Sequence, residues 1–388
     1  MLKWRVLLAA GVLCTALVAC SDDAPSSDSV AVGDAPAVSV DSTTAGADTT
    51  AAPVTDPPAT QAPTTTGVPE RWARITAPAD CMCSDGSGYN FFVHRGDPAK
   101  VVFFLEGGGA CFDVGTCGPD SDAFKRGVSD TLDASTGIFD FENPTNPFKD
   151  WSVVYVPYCT GDVHLGNQTM DYGNGVVIEH KGFVNGSTAL TAMRDLFPAL
   201  EELVVSGESA GSIPSPLYAG MARDLFAKAS IKVLADGSGA YPDIPVINAT
   251  IGANWGTMNA VPPWPENDGM TAEKWSLPGL FVQAHAHAPD IVFARHDFAF
   301  DQTQEFFASL AGIPADRLIE LIDSNEAQIE ASGMDLFSYI SPGDSHTILG
   351  KPDFYTHTVN DVTLLQWVTD LVNGTPIADN HCTECTTA

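Results

Sequence analysis

The sequence predicts an α/β domain built on a mostly parallel sheet flanked by helices, and three observations carry that prediction. Short continuous apolar runs recur along the chain, as in strands buried on both faces of a parallel sheet. Helical segments alternate with them, the pattern of a doubly wound sheet. Two of the runs stop at glycine-rich turns, which punctuate strand ends.

Taken in order, the first strand is expected at 101–105 (VVFFL), ended by Gly107-Gly108-Gly109. Runs at 152–158 (SVVYVPY), 203–205, 231–234, 280–283 and 336–340 read the same way. Helices are expected between and after them at 184–196, 212–229, 303–310, 324–331 and 359–372. No internal repeat interrupts this alternation, so a solenoid or propeller is excluded.

The first twenty residues predict export. Lys3 and Arg5 form a short positive region, and 6–18 is apolar but too short to span a bilayer. Leu17-Val18-Ala19-Cys20 resembles a bacterial lipoprotein cleavage box, in which the cysteine becomes the lipidated first residue. Segment 1–20 is therefore expected to be a lipoprotein signal, with Cys20 as the anchor on the extracytoplasmic face of the cell membrane; plain secretion is the alternative. Segment 21–68 is built mostly from Ser, Thr, Ala, Asp and Pro, without an aromatic residue, Lys or Arg. It cannot bury enough apolar surface to order itself and is expected to be a linker, with a reach on the order of 40 Å. The catalytic domain is then 69–388. The full chain of 388 residues carries 49 acidic and 18 basic side chains, a net charge of −31. Such a surface repels phosphate backbones and anionic lipid headgroups, so no nucleic-acid partner is expected, and membrane contact only through the anchor. A monomer is expected.

Nine cysteines are present. Outside the signal and its cleavage box, seven remain, and an oxidising compartment predicts that most pair. Cys111 and Cys117 are close enough to pin the loop after the triple glycine. Cys382 and Cys385 form either a terminal bridge or partners for Cys81, Cys83 or Cys159. An odd number leaves one thiol over. One CxxC does not make a zinc ribbon, and no metal or cofactor is expected.

The chemistry centres on Gly207-Glu208-Ser209-Ala210-Gly211. A G-x-S-x-G match alone is weak, but this one follows a strand run and precedes a helix, the setting of a nucleophile elbow. A serine hydroxyl needs a base to take its proton and a carboxylate to orient that base. His346 sits in a turn directly after the last expected strand. Asp290, Asp297 and Asp301 all lie between nucleophile and base, and spacing alone leaves the acid open among them. The tetrahedral oxyanion requires N–H donors, which Gly108, Gly109 and Ala210 are placed to supply. His285 and His287 would share one face of a strand at 280–283, a possible metal pair without an obvious third ligand. Trp255 and Trp264 are either sugar-stacking platforms or core anchors.

These residues together resemble the pectin acetylesterase/Notum family of carboxylesterases, whose members are α/β-hydrolase-like. The likeness is carried by Cys83–Phe92 (CSDGSGYNFF), Phe104–Cys111 (FLEGGGAC), Asn146–Trp151 (NPFKDW), Val156–Asp162 (VPYCTGD) and Ser206–Gly211 (SGESAG). Phe300-Asp301-Gln302-Thr303-Gln304 resembles the segment holding the family's triad aspartate, and Asp344-Ser345-His346 the one holding its histidine. The resemblance implies a triad of Ser209, Asp301 and His346, with Gly108, Gly109 and Ala210 as oxyanion donors. With the export signal, it leads to the expectation of an extracytoplasmic serine carboxylesterase removing a small acyl group, expected to be acetyl, from a hydroxyl, its substrate an O-acetylated glycan or another small-acyl ester. An acyltransferase with the same machinery, a non-catalytic surface binding protein and a metal hydrolase on His285 and His287 are the rivals.

Overall fold

The computed structural model describes residues 71–383 and 385. The expected signal segment at 1–20 with Cys20, and the linker at 21–68, lie outside the described residues. The described chain opens with strands β1 (Ala73–Thr76), β2 (Asn90–His94) and β3 (Asp97–Leu105), then a one-turn helix α1 (Val114–Cys117). Next come β4 (Trp151–Val156), a hairpin of β5 (Gln168–Asp171) and β6 (Val177–His180), and helix α2 (Gly182–Leu196). Strand β7 (Glu202–Glu208), helix α3 (Ser215–Leu225) and strand β8 (Ser230–Asp236) follow. Helices α4 (Pro245–Trp255) and α5 (Gly279–His287) precede β9 (Val292–Phe298). Helices α6 (Gln302–Leu310) and α7 (Leu318–Glu330) lead to β10 (Leu336–Ser341). The small pair β11 (Thr358–Val359) and β12 (Val362–Thr363), helix α8 (Leu364–Asn373) and β13 (Asn380–His381) close the chain.

The main sheet runs β1-β2-β4-β3-β7-β8-β9-β10-β13. Only the first two pairings are antiparallel; from β4 onward every neighbour is parallel. This is the helix-flanked, mostly parallel α/β architecture that the apolar runs predict. In β3, Val101, Phe103 and Leu105 join one core, with Ala189, Leu190 and Met193 of α2 and Tyr218 and Ala222 of α3. Val102 and Phe104 point into a second core closed by Trp367, Val368 and Leu371 of α8. Burial on both faces is why the strand reads as an unbroken apolar run.

Two expectations are corrected. The run at 280–283 is part of helix α5, not a strand. A short apolar run does not distinguish the two by periodicity, and here Leu280, Phe281 and Ala284 bury one helical face. The strand that takes its place, β9, is disguised by Arg295, His296 and Asp297, all buried. Mutual pairing makes their burial tolerable: Arg295 Nη1 donates to Asn325 Oδ1 at 2.6 Å, Arg295 Nε lies 2.8 Å from Asp297 Oδ2, and His296 Nδ1 lies 2.7 Å from Asp236 Oδ1. The expected helix at 359–372 begins only at Leu364, after the β11–β12 turn through Asn360 and Asp361, both at positive φ.

Three disulfides are formed: Cys83–Cys159, Cys111–Cys117 and Cys382–Cys385. Cys81 is the free, buried thiol among the described residues.

Candidate active site

Parallel strands β3, β7, β8, β9 and β10 all end at one edge of the sheet, where open α/β folds assemble their ligand sites. Ser209 follows β7 directly. Its φ of +53° is rare for a residue with a side chain, and it starts a tight turn, Ser209–Gly211, leading towards α3. The flanking glycines let that turn close. A Cβ on Gly207 would stand 2.3 Å from Gly211 O, and one on Gly211 would stand 2.0 Å from Leu105 O. The elbow is thus pressed against the end of β3, where the triple glycine begins.

Gly109 holds φ +75°, and a Cβ there would meet Ala123 O at 2.0 Å. The loop is pinned to the next segment by Ala110 N–H to Ala123 O and Lys125 N–H to Gly108 O, both backbone bonds. The N–H groups of Gly108, Gly109 and Ala210 find no acceptor among the described residues. Three unspent donors therefore flank Ser209.

Asp301 and His346 meet. His346 Nδ1 donates to Asp301 Oδ2 at 2.6 Å. The carboxylate is fully buried and also caps α6, its Oδ1 accepting from the N–H groups of Thr303 at 2.9 Å and Gln304 at 3.0 Å. A carboxylate accepts only, so Nδ1 carries the proton of that bond, and in the neutral ring Nε2 is the nitrogen with the free lone pair. That Nε2 is buried and makes no hydrogen bond among the described residues. When its ring is protonated, His346 favours the ionised form of the Glu208 carboxyl, one residue before Ser209. No hydrogen bond joins Ser209 to His346 in this structure; such contacts tighten when substrate is bound.

The other two candidate acids are occupied elsewhere. Asp297 accepts from Gly239 N–H and from Gln304 Nε2, beside the Arg295 guanidinium. Asp290 forms a surface ion pair with Arg223. The His285/His287 pair dissolves with the strand that would have aligned it. Two residues apart on a helix, they face different ways: His287 stacks on Trp264 and bonds Asp224, while His285 lies edge-on to Phe293. Trp255 and Trp264 are both buried, and Trp255 donates its indole N–H to Cys111 O, so they anchor the core.

Beside Ser209 opens a cavity of about 100 Å³, bordered by Gly109 and Ala210 and walled by Phe112, Ile251, Trp255, Trp275 and Phe307. Sequence reasoning missed this cavity, because its walls come from α4 and α6 and from loops with no common spacing. It also missed two polar residues. Gln304 Nε2 bridges Asp301 Oδ2 and Asp297 Oδ1 at 3.0 and 2.9 Å, and its place three residues after an N-capping aspartate was a readable signal. Glu208 is pushed up to about 7 by burial, then by the nearby Asp236 and Glu106 carboxylates.

The family model described as Pectinacetylesterase matches residues 72–259. Palmitoleoyl-protein carboxylesterase notum2 of Xenopus laevis is 30% identical over 33% of this chain and 27% of its own length. Pectin acetylesterase 7 of Arabidopsis thaliana is 28% identical over 44% of this chain and 46% of its own length. The chain thus spans between about a quarter and a half of these two relatives. A Danio rerio protein named as an inactive palmitoleoyl-protein carboxylesterase, notum1b, is 33% identical over 29% of this chain and 82% of its own length. Among solved structures, the Wnt deacylase Notum from Drosophila superposes with a TM-score of 0.62 at 16% identity, covering 81% of this chain and 97% of that one.

Proposed function

Because the chain belongs to the pectin acetylesterase/Notum carboxylesterase family, we propose that it hydrolyses carboxylic esters through an acyl-enzyme on Ser209. The observation that carries this reading is the Asp301–His346 pair with its unpartnered, buried Nε2, at the same sheet edge as the strained Ser209 turn. Nε2 takes the Ser209 proton as Oγ attacks the ester carbonyl. Negative charge then grows on the carbonyl oxygen, where the free N–H groups of Gly108, Gly109 and Ala210 receive it. As the tetrahedral species collapses, His346 returns the proton to the leaving alkoxide and the alcohol departs. Water, deprotonated by the same Nε2, attacks the Ser209 acyl ester, and the proton returns to Oγ as the acid leaves.

The cavity supports an acyl group larger than the acetyl group expected from sequence. At about 100 Å³ it is somewhat smaller than the ~150 Å³ apolar cavity that holds benzene, which suits a chain of roughly three to six carbons. Placement outside the cytoplasm is part of the same reading: three disulfides within the described residues suit an oxidising compartment, and the leader ending at Cys20 suits a lipid-anchored protein.

A fluorophosphonate probe tests the nucleophile. Peptide mapping should find the adduct on Ser209 of the folded protein and none on the heat-denatured one. An adduct on another residue, or no adduct on active protein, overturns the assignment.

A further inference from the structure

An ester carbonyl held at the oxyanion donors has two arms, and each needs its own space. The enclosed apolar cavity is one. On the other side of Gly109 and Phe307, which border both spaces, lies a larger open groove of about 750 Å³ that also reaches Gly108. Its chemistry is different. Asp113, Thr116, Ser121 and Asp122 line it together with Phe306 and Leu310. Phe306 is 51% exposed, its ring held edge-to-face against Phe307 at a centroid distance of 5.2 Å, and it offers apolar aromatic surface to the groove.

We propose that this groove holds the alcohol portion of the ester, and that the alcohol it fits is an uncharged glycosyl unit rather than a polyuronate. The proposal rests on the Ser209 esterase reading. The polarity of the two spaces assigns them: an enclosed apolar cavity takes the acyl chain, and an open groove with carboxylates and hydroxyls takes the polar alcohol. Sugar rings present an apolar C–H face, which Phe306 can cover, and vicinal hydroxyls, which a carboxylate accepts as a pair. Asp122 is exposed and makes no hydrogen bond among the described residues, and Asp113 uses only Oδ1, for the Thr116 N–H and hydroxyl. Lys125 is the cation of the groove lining, and it is held by Glu106 at 2.6 Å. The other charged residues of the lining, Asp113 and Asp122, are negative, as is the whole chain at −31, while Arg126 lies behind the lining over Phe124 with its guanidinium on the Cys117, Gly118 and Ser121 carbonyls. A polyuronate brings one carboxylate per sugar into that field and is repelled.

The test compares O-acetylated xylo-oligosaccharides with O-acetylated oligogalacturonides of the same length, using the full protein at low salt and at about 0.5 M salt. We expect kcat/KM to favour the neutral glycan by about tenfold or more at low salt, and the ratio to narrow as salt screens the groove. Asp122→Lys should narrow the ratio at low salt, and Phe306→Ala should raise KM for the neutral glycan several-fold more than it lowers kcat. Equal rates on the two glycans, or a ratio insensitive to both salt and Asp122→Lys, overturns the proposal. So does failure on both glycans by protein that turns over p-nitrophenyl acetate through Ser209, an outcome that points to a lipid or other alcohol and leaves the esterase reading standing. Loss of Ser209-dependent turnover on every ester would instead remove the reading beneath it.

Discussion

His346 Nδ1 sits 2.6 Å from Asp301 Oδ2, and the aspartate it touches is locked from three other directions. Thr303 and Gln304 N–H groups hold Oδ1, and Gln304 Nε2 holds Oδ2. A carboxylate so fixed sets both the tautomer and the angle of the imidazole. Asp301→Asn keeps the helix cap and the shape but reverses the hydrogen-bond polarity towards Nδ1. It should lower kcat by roughly 10³–10⁴-fold; the new amide N–H also faces Gln304 Nε2, at a cost of about 1–3 kcal/mol, so kcat is read on protein shown by its melt to be folded. Asp297→Ala should do the opposite: it strands the buried Arg295 guanidinium, costing about 3–5 kcal/mol of stability, and reads out in a melt rather than first in kcat.

The cavity predicts a chain-length profile. Across p-nitrophenyl esters, kcat/KM should rise from acetyl to a maximum within about three to six carbons and fall for long chains, since one methylene is worth up to about 1–3 kcal/mol in a fitted pocket. Ile251→Phe fills the cavity and should move the maximum back to acetyl. A profile that peaks at acetyl in the unaltered protein contradicts the cavity's role.

Gly109 predicts a backbone effect on both stability and rate. Alanine there must adopt φ +75° with its Cβ against Ala123 O at 2.0 Å, so the loop has to shift. Gly109→Ala should lower kcat by about 10²-fold or more if that N–H is an oxyanion donor, alongside a lower melting temperature. Fluorophosphonate labelling of Ser209 separates the two effects, because a merely destabilised protein still reacts in the cold.

Glu208 gives a stability signature in pH. Burial first, then Asp236 and Glu106, push its carboxyl from 4.5 up to about 7. The folded state therefore holds this proton more tightly than the unfolded chain. Stability relative to Glu208→Gln should be full below pH 4.5, fall as pH rises to about 7, and stay level above that. Melts of the two proteins across this range check the sign; parallel curves would show that Glu208 is solvated.

His164 and His180 act in the opposite direction. Burial lowers both from 6.5 to about 4, and each ring is held by a backbone carbonyl, of Glu106 and Thr160 respectively. Their contribution is present above pH 6.5 and lost as pH falls towards 4, because the unfolded chain takes up protons that the folded one refuses. His164→Gln should flatten the acid limb of the melting profile. Asp162, raised by burial to about 6, opposes this trend and is left in place in the variant.

Much of this arrangement was legible in the sequence, for physical reasons. β3 and β7 are buried on both faces, which leaves runs of Val, Phe and Leu, and the glycines directly after them, marking close backbone approach, decide in favour of strands. Asp301 stood out through the block around it, while spacing alone left three acids open. What stayed hidden was set by tertiary contacts. β9 buries Arg295 and His296 by pairing them with Asn325 of α7 and Asp236 of β8, and Asp297 by pairing it with Arg295 and with Gln304 of α6, and no local pattern announces that. The helix at Gly279–His287 takes the place of an expected strand because its apolar run is too short for period to decide. The cavity is lined from segments separated by most of the domain, so only the fold reveals it.

The most direct test of the central claim is hydrolysis of p-nitrophenyl butyrate by the protein and by Ser209→Ala, each with EDTA present. The account predicts turnover that survives EDTA and falls by at least about 10³-fold in the variant, with its melting temperature retained. Turnover unchanged in a folded Ser209→Ala protein would contradict it.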